Sequence, residues 1–145
     1  MNKQEIFDFL NDNLGFFLAT VDGEEPRVRA MMLYNADEKG IVFHTGPFKE
    51  VYNQILKNPN VQLCFYNQQQ NIQVRVRGRL EINDDIEFKK EIANHPTRVF
   101  MQGWKANCKT EEEFYNMFSV FRLKNGIANV WTFESNFKPK EDVVL

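Results

Sequence analysis

A chain of 145 residues with 43% hydrophobic and 26% charged side chains has the make-up of an ordinary globular domain, far from that of a disordered segment. A formal net charge of -2 supplies no global field for a polyanion, so nucleic-acid binding would need a local basic patch, and two widely spaced cysteines, Cys64 and Cys108, give no CxxC or Cys/His cluster to supply a tetrahedral metal site, so no structural zinc is expected. The first ten residues lack the uninterrupted apolar stretch of a signal peptide or membrane span, so the expectation is a cytoplasmic protein with no membrane partner.

The aromatic share of 14%, with 14 phenylalanines, favours a β-rich core. Ile6, Phe7, Leu10 and Leu14 recur at helical spacing and predict a short amphipathic helix over residues 3–13, with Gly15 as its stop. An apolar run over 16–21 leads into Asp22-Gly23, a tight-turn signal, and a second strand that begins after Pro26 and runs to Tyr34 completes a hairpin. Residues 35–40 form the next turn. Residues 41–45 make a third strand, almost without alternation and therefore central.

Gly46-Pro47 stops that strand and opens a helix over 48–57 with Val51, Ile55 and Leu56 inward. Asn58-Pro59-Asn60 ends it. A fourth strand over 61–66, a polar loop over 67–71 and a long, strictly alternating fifth strand over 72–82 follow. Residues 84–94 read as a helix, and Thr110 with Glu113 as a capping box opens another. Residues 118–124 and 127–133 read as a last hairpin, and the tail from Ser135 as charged and loose. Without repeats or a linker, this order predicts one domain over residues 1–145, an α+β antiparallel barrel and not a βαβ sheet.

Three segments could carry chemistry. In Pro26-Arg27-Val28-Arg29-Ala30-Met31-Met32, two arginines two apart project from one strand face; they fit a phosphate, or serve equally well as solvated edge charges. In Phe43-His44-Thr45-Gly46-Pro47-Phe48-Lys49, a strand runs through a glycine turn into a helix start, where free backbone N–H groups, the Thr45 hydroxyl and Lys49 suit an anion. Such punctuation is also common without function. In Gln73-Val74-Arg75-Val76-Arg77-Gly78-Arg79, basic and aliphatic residues alternate, but a nucleic-acid face would want exposed stacking rings where the valines stand. His44 reads more readily as a satisfied core or interface histidine than as a proton donor, and it keeps haem open as an alternative ligand.

An arginine strand after an Asp-Gly hairpin, a strand ending Phe-His-Thr-Gly, a helix ending Asn-Pro-Asn-Val and a Gln-Val-Arg-Val-Arg-Gly strand, in this order over about residues 16–82, resemble the pyridoxamine 5'-phosphate oxidase-like family of FMN-binding split barrels. The resemblance implies a six-stranded split β-barrel with peripheral helices, FMN as cofactor, and a homodimer with the flavin at the subunit interface. It implies a flavin-dependent oxidoreductase acting on a small-molecule substrate, with NAD(P)H a candidate donor; the alternative is a non-catalytic flavin-, haem- or deazaflavin-binding protein. Arg29 would grip the phosphate, and the backbone of Ala30, Met31 and Met32 would line the isoalloxazine. Thr45 would add a phosphate-side hydroxyl, with His44 and Lys49 beside it. Gln73 would reach the ring or ribityl chain and Trp131 would be the late aromatic, both facing the partner's flavin. Trp104 would cap the substrate side or fill a groove. The sequence also departs from the family pattern. Glu50 and Val51 stand where true oxidases carry an Arg-Lys pair, so Lys49 substitutes from a neighbouring position. No Arg-x-His occurs between Trp131 and Leu145, so pyridoxamine phosphate oxidation is not expected.

Overall fold

The structure is a computed structural model that describes residues 1–145. Its elements in chain order are α1 (Lys3–Asp12), β1 (Gly15–Asp22), β2 (Glu25–Asp37), β3 (Gly40–Thr45), α2 (Glu50–Lys57), β4 (Asn60–Asn67), β5 (Ile72–Ile82), α3 (Ile86–Ala93), a 3-10 turn (Pro96–Arg98), α4 (Met101–Ala106), α5 (Glu111–Tyr115), β6 (Ser119–Leu123), β7 (Ile127–Trp131) and β8 (Asp142–Val144). The antiparallel order β4-β1-β2-β3-β6-β5 closes through the β4–β5 pairing into a six-stranded barrel, with β7 and β8 added along β5. This is an α+β split barrel, as the motif order implies. No helix is long and apolar enough to cross a membrane.

Two long strands make the split. β2 pairs with β1 over Glu25 to Met32 and from Leu33 onward with β3, with a register shift between Leu33 and Asn35. A bulge of this kind turns a strand and lets one chain segment serve two sheet directions. β5 carries β4 on one edge; on the other, Gln73 to Arg77 pair with β7, and Leu80 to Ile82 pair with β6. Between these sets sits Gly78, where a Cβ would come within 3.1 Å of the Leu123 side chain.

The barrel core follows the period-two pattern. Phe16 and Leu18 of β1, Leu63 and Phe65 of β4, and Val74 and Val76 of β5 point inward and are buried. α1 adds Ile6, Phe7, Phe9 and Leu10 to the same cluster, and its capping box between Asn2 and Glu5 satisfies two backbone donors at its start. A second cluster, including Val42, Val120, Ile92, Met101, Phe114 and Phe118, fills the space between the outer face of β3 and β6 and helices α3 to α5.

Five expectations are corrected. β6 and β7 are not a hairpin: both run antiparallel to β5 and lie end to end along its edge, because Asn125, at φ 52°, and Gly126 carry the chain onward without reversing it. The tail is not loose throughout. Asp142–Val144 pairs with β7, Leu145 is buried, and its N–H donates to the Gly126 carbonyl at 2.8 Å. The inward face of α2 carries Val51, Gln54 and Ile55, leaving Leu56 half exposed. That helix begins at Glu50, after Phe48, and α1 ends at Asp12, three residues before Gly15, which opens β1.

Candidate functional site

The two arginines of β2 part company. Arg27 stays at the hairpin end, paired with Glu25 at 2.7 Å and Asp22 at 3.6 Å; it is the solvated edge charge of the two readings. Arg29 sits opposite Leu18 and turns into the barrel mouth. Its Nη1 donates to the Thr20 hydroxyl at 2.7 Å and the Leu18 carbonyl at 3.2 Å, and its Nη2 to the Gln54 side-chain oxygen at 2.5 Å. Thr20 also donates to Gln54 at 2.7 Å, and both are buried. The brace therefore holds one face of the guanidinium in place, while Nε–H and one Nη2 proton stay free for a ligand. Burial and then the Arg27 charge lower the Arg29 pKa, and Glu50 acts in the opposite direction.

A cavity of 1040 Å³ opens beside Arg29, lined also by Ala30, Met31, Met32, His44, Thr45, Gly46, Lys49, Glu50 and Val51. β3 and α2 build this end. Thr45 closes β3 as a buried residue, yet its hydroxyl has no protein partner and faces the cavity. Gly46 makes the turn tight: a Cβ there would fall 2.5 Å from the Phe48 ring. At the start of α2, no side chain caps the helix, so its first N–H groups remain available to an anion beside Lys49. Arg29 and Thr45 thus share one cavity with a helix N-terminus, and this donor set fits a phosphate group.

The far wall comes from the segment between α3 and β6, with Phe118 reaching it from the second cluster. Phe100, Trp104, Met117 and Phe118 line it, so Trp104 belongs to the cavity and not to a groove elsewhere. Behind it lies Arg98, fully buried, which donates through Nε to His44 Nε2 at 3.0 Å and through Nη2 to the Leu33 carbonyl at 2.8 Å. His44 packs edge-on against Phe118. Burial first, then the Arg98 and Lys49 charges, push the His44 pKa down to about 4, so the ring is neutral at ordinary pH. His95-Pro96, read from the sequence as a mere helix end, opens the turn that delivers Arg98.

Seven of the nine proposed cofactor-side residues therefore line one cavity: Arg29, Ala30, Met31, Met32, His44, Thr45 and Lys49. Gln73 and Trp131 do not. They stand opposite each other in the β5–β7 register, on the outer face of the sheet, where the Trp131 indole donates to Asn136 at 2.8 Å. The remaining basic residues of β5 are engaged. Arg77 pairs with Asp142 at 2.8 Å, Arg79 donates to Asn60, and Arg75 donates to Asn129. Sequence reasoning did not find Thr20, Gln54, Arg98, Phe100, Met117 or Phe118. For Gln54 the signal was there, a polar residue at the i+3 position of an inward helical stripe begun by Val51.

Strand order and the shared strand β5 define the class, a split-barrel protein with a partly cationic cavity at the barrel mouth. The chain belongs to the pyridoxamine 5'-phosphate oxidase family, whose model matches residues 3–124. Its curated relatives include a pyridoxine/pyridoxamine 5'-phosphate oxidase of Mesorhizobium japonicum, 36% identical over 120 residues, covering 82% of this chain and 56% of the relative. An enzyme of the same description from Burkholderia mallei is 35% identical over 88 residues, covering 60% and 41%. The chain thus spans about half the length of the curated relatives it matches. Among solved structures, a NimC/NimA family protein from Clostridium acetobutylicum superposes with a TM-score of 0.74 at 22% identity, covering 98% of this chain and 92% of that one. A pyridoxamine 5'-phosphate oxidase-related, FMN binding protein from Nostoc punctiforme gives 0.66 at 17% identity, covering 99% and 95%. At these identities the structures speak for the fold.

Proposed function

We propose that this protein is an FMN-dependent oxidoreductase that acts on a small-molecule substrate as a homodimer, with the flavin phosphate at Arg29 and Thr45. The observation that carries the reading is the convergence of a braced arginine, an unpartnered threonine hydroxyl and an uncapped helix start on one cavity. Bound FMN would supply hydride or electron transfer, and the chain supplies position, phosphate anchoring and a water-poor apolar wall. Ala30, Met31 and Met32 offer backbone and side chains to a flat ring, and Phe100 and Trp104 face them across the cavity. The relatives' named substrate is not carried over, because this chain spans only about half of their length.

The dimer is supported by the outer face of the sheet. Phe17, Val28 and Met32 are 55%, 68% and 42% exposed there, and strand register continues this face through Cys64 and Arg75 to Asn129. Arg75 Nε is a buried donor without a partner on that same face. Gln73 and Trp131 share it, which is the placement expected of residues that serve a neighbouring subunit's flavin. Haem loses ground as an alternative, since the Arg98 guanidinium occupies His44 Nε2. A flavin or deazaflavin store remains the competing reading.

The absorption spectrum of the purified protein tests the cofactor, and bleaching by NAD(P)H separates a reductase from a store. Arg29→Ala removes charge-assisted hydrogen bonds worth about 1.5–3 kcal/mol, so FMN affinity should fall roughly 10- to 100-fold and riboflavin affinity much less. Equal loss for both ligands would take Arg29 away from the phosphate.

A further inference from the structure

Arg98 is 0% exposed and its guanidinium meets only neutral acceptors: His44 Nε2, the Leu33 carbonyl, and the carbonyl and hydroxyl of Thr97 at 3.3 and 3.2 Å. None of the chain's ion pairs includes it. The rings of Tyr34 and Phe100 lie 5.4 and 5.9 Å from its central carbon. An uncompensated buried cation is costly to fold around. Its reach from the 3-10 turn to two strands is therefore a feature that needs a reason.

We propose that Arg98 is a positioning residue that holds His44 as the neutral Nδ1–H tautomer, so that β3 presents a fixed hydrogen-bond donor to an acceptor atom on a planar conjugated ligand in the cavity. An arginine N–H can only donate, so His44 Nε2 must accept with its lone pair, and the ring proton then sits on Nδ1. That nitrogen has no protein acceptor, and the ring lines the cavity. Phe118 fixes the plane of the ring edge-on, with centroids 5.6 Å apart. The cation behind the imidazole polarises it and strengthens the outward N–H as a donor. The aromatic wall of Phe100, Trp104 and Phe118 favours a flat ligand.

The surrounding charges agree with a ring that stays neutral. Lys49 adds a second positive influence from the start of α2. Glu91 of α3 is engaged by the Tyr34 hydroxyl at 3.2 Å, and burial with that contact raises the Tyr34 pKa to about 12. Behind Phe118, Lys89 lies 5.2 Å from the ring centroid and 3.9 Å from Asp84. Protonating His44 would set two N–H donors face to face.

The tautomer stands apart from the flavin reading; the donor role rests on it. Long-range ¹H–¹⁵N spectra of the ligand-free protein decide the first, because the chain has only two histidines, His44 and His95, and His95→Gln assigns them. The expected result is an Nδ1–H pattern for His44 that persists down to pH 5, and an Arg98→Met variant in which that preference is lost and the titration midpoint rises by a unit or more. An Nε2–H pattern or a midpoint near 6.5 in the wild-type protein overturns the proposal, whether or not the variant folds. For the second, FMN titration should show His44→Leu binding at least fivefold more weakly than wild type, with His44→Gln, which keeps an N–H donor, in between. Equal FMN affinity for His44→Leu and wild type overturns the donor role. No FMN uptake by the wild type overturns the flavin reading and the donor role together, and the ligand-free spectra still decide the tautomer.

Discussion

Arg29 and Glu50 act on each other at the cationic end of the cavity, and their signs oppose. A phosphate dianion there meets Arg29, Lys49 and the N-terminus of α2 on one side of the balance and the Glu50 carboxylate on the other. Glu50 is exposed, so its repulsion is screened and worth about 1 kcal/mol. Glu50→Gln should therefore raise FMN affinity about fivefold, leave riboflavin affinity unchanged, and lose its effect as salt rises. Isothermal titration with both ligands at two ionic strengths checks this; a fall in FMN affinity would mean that Glu50 holds Lys49 or the helix start in place. Arg29, Thr45 and Lys49 were legible because each belongs to a local strand or turn pattern. Arg98 was not: it meets His44 across 54 positions of chain, and Gln54 meets Arg29 across 25. Partnerships of that span arise from barrel closure, which leaves no periodic trace in either segment.

At the scale of elements, β5 decides the architecture, and the sequence displayed it clearly through alternation over 72–82. What alternation does not encode is which strand pairs on which edge. β6 and β7 are two apolar runs separated by three residues, Lys124 to Gly126, a spacing shared by hairpins and by strands that continue in line. Gly126 settles the matter sterically. A Cβ there would lie 2.6 Å from Leu123 and 2.7 Å from Val76, both fully packed in the core. Gly126→Ala should cost about 1–3 kcal/mol, the range for overpacking a filled core, read as a lower urea midpoint with unchanged slope. Gly103→Ala in α4, where a Cβ would meet nothing within 4 Å, is the control and should be neutral or mildly stabilising. If the two variants unfold at the same midpoint, the close approach at Gly126 is not a constraint. The tail hid its strand for a related reason. Lys138, Lys140 and Glu141 dominate the pattern, while docking depends on Leu145 and on Asp142, whose carboxyl is held below its usual range first by the hydrogen bond from Arg77.

The whole molecule leaves one sheet face with three large apolar side chains, Phe17, Val28 and Met32, open to solvent in a single subunit. Scattered apolar residues need no explanation, but these adjoin one another through the β1–β2 register and continue from the cavity lining at Ala30 and Met32. A patch that abuts a ligand site is best covered by something that completes the site. In the proposed dimer a symmetric pairing covers both copies at once and carries Trp131 toward the other subunit's cavity. A charge introduced at the centre of such an interface is desolvated without a partner. Val28→Glu should shift the protein from dimer to monomer in light scattering at micromolar concentration and weaken FMN binding in parallel. Trp131→Ala should weaken FMN binding and leave the dimer intact. The two variants separate assembly from ligand contact: a Val28→Glu monomer that binds FMN as tightly as wild type would place the whole flavin site within one subunit.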